Sequence, residues 1–446
     1  MLLDPKLANR NAMTLMDDIK VKNAAEYYQG EVEDWEEVGI KALDDNVIEI
    51  TLEDEMPEID ILTALSSIST APVHEEMYED GLSEDGTETS YATTIDEVPS
   101  SGRYTLVEWV RDQNRVYEKN EDAPHAEMFK PEKIEERVVT EASTRIQLFE
   151  SEELDAASVT TEIEQYEDDP RVVYPLGNTV WGFFINSESD DNPILKDKNF
   201  RQALFYGIDR TKIAKGVFNI YEETPWFISS VPMVDWEEGE TYKDTDQAKE
   251  IRPEDNGFDP DKAVELFEKA YEENGKEKIE VEIIYFEAQE DMKRMAEVAE
   301  EEYEELFGSD KLDIILRAMD PSTAYDEYGA GNFELGIGAY SQSAFNPWAS
   351  MKVWTTDFPN KSHAYADKDF DELYERVTTG DLKLKEDERI DALAEMEEML
   401  IDYVPQIPIF QNNNATIYSD RIHLITDGEY ISGVGFALPQ SEIDGL

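Results

Sequence analysis

The reactive groups this sequence offers in quantity are carboxylates: 105 Asp and Glu stand against 39 Lys and Arg, a formal net charge of −66. Two carboxylates can hydrolyse a glycoside when one is kept protonated and the other ionised. In a chain this acidic, close pairs arise by chance, so no pair points to a glycosidase. The four histidines, His74, His125, His363 and His423, are scattered with no two at i,i+4, the spacing that sets a zinc site on one helix face. Each reads as a surface or loop histidine. Cysteine is absent, which removes disulfides, thiolate metal sites and a Cys nucleophile. No GxSxG, no phosphate-binding GxxxxGK[ST] and no GxGxxG opening a helix occurs. No trio of nucleophile, base and orienting group can be named, so a hydrolase is disfavoured. The reading is a binder and not an enzyme, with no cofactor and no metal. The 22 Tyr, 18 Phe and 7 Trp exceed what a minimal core needs. Most are ordinary core and surface residues, and some suit the lining of a cleft, because flat rings supply contact area at low entropic cost.

The same charge bounds the partners. Nucleic acid and anionic membrane surfaces are repelled. The acids run along the whole chain, from Glu31-Val32-Glu33-Asp34 through Glu300–Glu305 to Glu395–Glu398. A nucleic-acid mimic would concentrate them on one element, so a solvated, salt-adapted surface is the better reading. At 446 residues and 40% hydrophobic, the chain suits two or three domains with a sizeable core. No apolar run is long enough to span a bilayer. The start, Met1-Leu2-Leu3-Asp4-Pro5, does not read as a signal peptide.

Local patterns supply the elements that must position any site. Val47–Leu52 reads as a strand with Ile48, Ile50 and Leu52 on one face. Tyr104–Val110 and Arg115–Lys119 read as a hairpin joined by Arg111-Asp112-Gln113-Asn114. Val172–Tyr174, Val180–Ile185 and Ile279–Phe286 read as further strands, the last with Ile279, Val281, Ile283 and Tyr285 alternating. Asp259-Pro260 opens a helix with Ala263, Leu266, Phe267 and Ala270 as its apolar stripe, and Gly275 lies past its end. Further helices are expected from about Ala288 to Phe307, after Asp197 (Phe200, Ala203, Leu204, Ile208), from Arg210 to Val217 after Asp209, and from Asp387 to Tyr403 before Pro405. Ser83–Ser90 reads as a loop and Val234–Asn256 as a long surface loop. Strands alternating with helices indicate mixed α/β domains.

Several segments, in order, resemble the oligopeptide-binding proteins of ABC importers, the family 5 extracellular solute-binding proteins. They are Val38–Leu52 (VGIKALDDNVIEITL), Pro99–Trp109 (PSSGRYTLVEW), Glu150–Asp155, Trp181–Asn186 (WGFFIN), Leu195–Arg210 (LKDKNFRQALFYGIDR), Asp367–Leu373 and Pro405–Phe410 (PQIPIF). Each alone is weakly specific. Their order from Val38 to Phe410 carries the likeness.

The resemblance implies a two-lobed, type II periplasmic-binding-protein-like α/β fold of the large peptide-binding class. It closes on a ligand by a hinge motion. It also implies an N-terminal truncation, since only Met1–Glu37 precede the Val38 segment. The domains implied are residues 1–98 as a remnant of the extra domain, 99–186 as a first-lobe segment, 187–410 as the distal lobe and 411–446 as a C-terminal return to the first lobe. The hinge falls near Asn186 and Gln411. The candidate cleft residues are Asn178, Trp181, Phe184, Trp226, Tyr340, Ser343, Asn346, Trp348 and Trp354, with core packing an equal reading for each tryptophan. Gly338–Pro347 aligns with a family loop whose aspartate pairs with the peptide α-ammonium, and Ser343 stands in that place. The implied partners are a peptide and the permease subunits of an ABC transporter, with no nucleic acid, and the protein a monomer. The implied location is extracytoplasmic, at the cell surface or in the periplasm, with a lipid anchor usual in the family and the export signal absent from this chain. The rival readings are a binder of a sugar, nickel chelate or modified peptide in the same family, and an acidic interaction protein with no small-molecule cleft.

Overall fold

The computed structural model describes residues 1–444 other than 160–162, 164, 167–168, 236, 288, 360 and 426–437. The chain divides into two units. One is formed by Met1–Ala157 with the described residues from Ile417 onward, the other by Ser158–Thr416. The chain therefore passes between them at 157/158 and again at 416/417. The expected boundaries at 98/99, 186/187 and 410/411 fall inside the units.

In the first unit, Leu3, Leu15, Ile19, Val21, Ala24 and Val38 form a small core. Helices α1 (Ala24–Tyr28), α2 (Glu58–Ser66), α3 (Glu75–Asp80) and α4 (Ala142–Glu150) belong to this unit. Strands β1 (Ile40–Asp44) and β2 (Val47–Ile50) pair antiparallel. Ile50 and Leu52 pack on the core, but Ile48 at the hairpin tip is 69% exposed, so the expected single face ends before it. β3 (Tyr104–Val110) and β4 (Asn114–Lys119) form the expected hairpin, and β5 (Lys133–Arg137) extends it to three strands.

The second unit begins at the end of the short strand β6 (Ala156–Ser158) and includes the short strand β7 (Val172–Val173). Its centre is a six-stranded sheet built from β8 (Leu176–Ile185), β9 (Glu222–Glu223), β12 (Ile279–Phe286), β13 (Leu312–Met319), β14 (Leu335–Ser341) and β15 (Gln406–Asn413), in the order β13-β12-β14-β8-β15-β9. β12 runs parallel to β13 and β14, whereas β8 lies antiparallel between β14 and β15. Ile279, Val281 and Ile283 are buried as their alternation predicts. Two glycines allow the strands to carry their neighbours' bulk. A Cβ on Gly338 of β14 would lie 2.4 Å from the Phe184 ring, and one on Gly182 of β8 would lie 2.1 Å from the Ile407 carbonyl oxygen.

Helices α5 (Lys198–Tyr206), α6 (Arg210–Ala214) and α8 (Pro260–Glu273) start where the aspartates predict. Asp197, Asp209 and Asp259 each accept a backbone N–H from the first turn. α6 ends before Gly216 and is shorter than expected. α9 spans Glu290–Phe307; Ala288, the expected start, lies outside the described residues. α10 (Pro321–Ala330), α11 (Pro347–Ser350), α12 (Lys368–Thr378) and α13 (Glu386–Tyr403) complete the unit. Val404 follows α13 at φ +59, uncommon for a β-branched residue, and its N–H closes on the Leu400 carbonyl at 2.8 Å.

One sequence expectation is corrected here. Val234–Asn256 is not an unstructured surface loop. It holds the paired strands β10 (Met233–Asp235) and β11 (Glu240–Thr241), a 3-10 turn at Tyr242–Asp244 and helix α7 (Asp246–Ile251), with Tyr242 and Ala248 each 2% exposed. Two buried anchors in a charged stretch are too sparse to set up an apolar period, yet they fix the segment to the core.

The longest segment of the family resemblance, LKDKNFRQALFYGIDR, proves to be core wiring. Arg201 donates through Nε to the Tyr403 carbonyl (2.9 Å) and through Nη1 to the carbonyls of Leu195 (2.9 Å) and Lys196 (2.8 Å). Arg210, 1% exposed, donates to the carbonyls of Pro408 (2.7 Å), Asn256 (3.0 Å) and Phe205 (3.1 Å). Burial pulls its pKa down to about 10, so it remains charged at neutral pH. A buried guanidinium is tolerable because carbonyl oxygens replace its water shell.

Candidate functional site

In open α/β sheets, ligands bind beyond the carboxyl ends of the parallel strands. Here that edge is set by β12, β14 and β15, which point the same way, and by the start of β8, which points back. Ser341 of β14 pairs with Thr179 of β8, Gln411 of β15 pairs with Val180, and Glu222 of β9 pairs with Gln411. The edge thus carries short polar side chains. Thr179 and Ser341 share a hydroxyl–hydroxyl bond at 3.1 Å. Asn178 donates its Nδ2 to the Gln342 carbonyl at 2.5 Å and accepts the Gln342 N–H on its own carbonyl at 3.0 Å.

The sequence-derived candidates separate into two groups. Phe184, Trp348 and Trp354 are 0%, 3% and 4% exposed and belong to the hydrophobic core. Trp348 donates Nε1 to the Arg389 carbonyl (2.8 Å), and Phe184, Tyr340 and Trp354 pack on one another with ring centroids 5.2–6.5 Å apart. The half-buried candidates are Asn178, Trp181, Trp226, Tyr340, Ser343 and Asn346. Trp181 packs edge-on against Phe286 at 6.3 Å. Arg252 covers the Trp226 ring at 4.3 Å. Tyr340 accepts the Ser362 N–H on its hydroxyl at 2.8 Å. Ser343 accepts the Asn346 N–H on Oγ (3.1 Å), and Asn346 caps α11 by accepting the Ala349 N–H (2.9 Å). The loop after β14 is therefore folded by the two residues singled out in it.

His363 falls within the surface-or-loop reading of the histidines, but it is a buried loop residue and not a surface one. It lies in a loop but is only 4% exposed and stacks on Trp354 at 4.7 Å. Its Nε2 meets the Val353 carbonyl at 2.8 Å and its Nδ1 accepts the Tyr365 N–H at 3.1 Å, so the proton sits on Nε2 and the ring is neutral. Burial pushes its pKa down to about 3.

Sequence reasoning missed Glu397 and Gln342 behind the edge and named Gln411 only as a hinge point. Glu397 of α13 is 2% exposed and accepts the backbone N–H groups of Phe227 (2.9 Å) and Ile228 (2.8 Å) on one oxygen. Gln342 accepts the Ser229 N–H (2.8 Å) and donates to the Phe227 carbonyl (2.6 Å). Gln411 accepts the Ser230 N–H (2.7 Å) and donates to its hydroxyl (2.9 Å). Burial pushes the Glu397 carboxyl up to about 7, against the opposing pull of the Ile228 N–H, Tyr242, the Phe227 N–H and Arg252. Asn186 and Gln411, the expected hinge points, are both tied into this unit; Asn186 donates to the carbonyls of Gly331 and Phe333 at 2.9 Å each.

Comparison with known proteins agrees with this architecture. A family model described as "Bacterial extracellular solute-binding proteins, family 5 Middle" matches residues 2–362. The chain belongs to this family. It is 22% identical to the dipeptide-binding protein DppE of Bacillus subtilis over 94% of this chain and 72% of the relative, and 23% identical to the oligopeptide-binding protein OppA of the same organism over 94% and 73%. Among solved structures it resembles the substrate-binding domain of an oligopeptide ABC transporter from Bacillus anthracis (TM-score 0.74, 19% identity, 99% of this chain and 81% of that one). It also resembles OppA of Listeria monocytogenes bound to peptide (TM-score 0.73, 19% identity, 100% and 82%). The backbone likeness establishes the two-lobed α/β binding-protein fold expected from the sequence. Among the described residues no helix is long and apolar enough to cross a membrane.

Proposed function

We propose that this solute-binding protein captures peptides outside the cytoplasm by lobe closure and delivers them to the permease of an ABC importer, without catalysing a reaction. The observation that carries the reading is the polar carboxyl edge of the β8–β14–β15 sheet in a chain whose curated relatives are named dipeptide- and oligopeptide-binding proteins. An extended peptide can be held there through its main chain, which is the same whatever the side chains. The half-buried Asn178, Trp181, Trp226, Tyr340, Ser343 and Asn346 are the contact residues of this reading, whereas Phe184, Trp348 and Trp354 support them from the core. We place the hinge at the two passages of the chain, 157/158 and 416/417, because Asn186 and Gln411 are locked into the second unit by buried hydrogen bonds.

Ser343 makes the reading specific. Its hydroxyl is neutral and already accepts the Asn346 N–H, so it supplies no ion pair to a peptide α-ammonium. Calorimetric titration of the protein with a peptide of free N-terminus and with its acetylated form is expected to give affinities within about tenfold of each other. A defined-length peptide pool is expected to bind and to reduce the radius of gyration in X-ray scattering. A pool that binds without any compaction counts against lobe closure. Binding of sugars or nickel chelates in place of every peptide tested would overturn the peptide assignment.

A further inference from the structure

Four consecutive backbone amides, Phe227 to Ser230, donate to side chains and not to a neighbouring strand. The acceptors come from three separate elements: Glu397 from α13, Gln342 from the residue after β14, and Gln411 from β15. Exposures of 2%, 9% and 1% put all three out of water. Trp226 immediately precedes the held segment, and its ring is covered by Arg252.

We propose that Glu397 is a positioning residue: with Gln342 and Gln411 it clamps Phe227–Ser230 and so sets Trp226 at the binding edge, and gain or loss of its proton governs how firmly the segment is held. The consequence for ligand rests on the peptide-binding reading above. The clamp itself does not.

The titratable and charged groups facing the carboxyl are Tyr242, from the turn before α7, and Arg252, after α7. Burial pushes the Tyr242 phenol well up, first by desolvation and then by the Glu397 charge, so it stays protonated across the working range. Its hydroxyl makes no hydrogen bond of good geometry, but it lies beside the carboxyl and favours the ionised form. Glu397 can accept both amide N–H groups on one oxygen while the other carries a proton. Closed, the carboxyl holds its proton up to about pH 7; opened to water, it loses it near its ordinary value of 4.5. The folded value is the raised one, so the stabilising contribution is complete below 4.5 and is lost as pH rises toward 7. Opening of the segment therefore becomes easier by roughly tenfold per pH unit across that window, on the order of 10²-fold in all, and then levels off.

Hydrogen–deuterium exchange on the full chain, corrected for the intrinsic pH dependence of exchange, tests this without any ligand. Protection of the fragment carrying Phe227–Ser230 is expected to fall on the order of 10²-fold between pH 5 and pH 8. The amides of Ile279–Phe286 in β12 are expected not to follow. Glu397→Gln, which keeps an acceptor oxygen but cannot ionise, is expected to flatten the profile. Tyr242→Phe removes a group that favours ionisation and is expected to move the midpoint to higher pH, which keeps the test available should the first variant fold poorly. A flat wild-type profile, or an equal fall in β12, overturns the clamp. Peptide affinity measured at pH 5 and pH 8 forms a separate arm. A wild-type decrease that Glu397→Gln lacks supports the link to ligand. Intact exchange behaviour in a protein that binds no peptide supports the clamp and refutes the peptide reading.

Discussion

His363 gives the most quantitative prediction. A neutral imidazole is fixed between an obligate acceptor, the Val353 carbonyl, and an obligate donor, the Tyr365 N–H. Protonation would place Nδ1–H against that N–H inside the core, and burial has accordingly lowered the pKa from 6.5 to about 3. Because the folded value is the depressed one, the stability contribution is present above the unfolded pKa of 6.5 and is lost as pH falls toward 3. At about 1.36 kcal/mol per pKa unit, the loss between pH 7 and pH 5 is about 2 kcal/mol, and by pH 4 about 3 kcal/mol. Glu397 works in the opposite direction between pH 7 and 4.5, so the wild-type curve alone would hide the effect. The comparison that isolates it is His363→Gln, which can offer one donor and one acceptor but does not titrate. Loss of the stack on Trp354 costs about 1 kcal/mol at every pH and leaves the slope untouched. Urea unfolding at pH 7, 6, 5 and 4 is expected to show the gap between wild type and variant closing, then inverting, as pH falls. Parallel wild-type and variant curves would refute the reasoning. So would a His363 ring resonance titrating near pH 6.5 in the folded protein.

Two further perturbations probe the sheet and the surface. Gly338→Ala places a methyl 2.4 Å from the buried Phe184 ring, which Tyr340, Tyr328 and Trp354 hold in place; a loss of about 1–3 kcal/mol in urea unfolding is expected, and an unchanged midpoint would mean that the ring stack can yield. With a net charge of −66, carboxylate self-repulsion dominates over the exposed ion pairs, so the melting temperature is expected to rise from dilute buffer toward molar salt, and a flat or falling curve rejects the salt-adapted surface.

The longest segment of the family resemblance and the residues that build the site are different sets. Arg201 and Arg210 serve backbone carbonyls of the core, so the stretch LKDKNFRQALFYGIDR marks the fold and not the ligand. The edge instead depends on Asn178, which the resemblance brought out, and on Thr179, Ser341 and Gln342, polar residues that no pattern distinguishes from an ordinary strand end.

What the sequence by itself determined was local. Alternating apolar residues defined Ile279–Phe286 to the residue, and Asp197, Asp209 and Asp259 announced three helix starts, because both signals act within one strand or one turn. Ordered segments from Val38 to Phe410 carried the family. The tertiary structure alone decided which aromatic side chains are core, that His363 is buried, and that Glu397, Gln342 and Gln411 converge on one segment. Those bonds join residues 170, 113 and 181 positions apart. Glu397 lies in the acidic run Glu395–Glu398, whose Glu395 and Glu398 are exposed, and it is the packing of α13 against α5, α7 and α12 that buries it while leaving them in water.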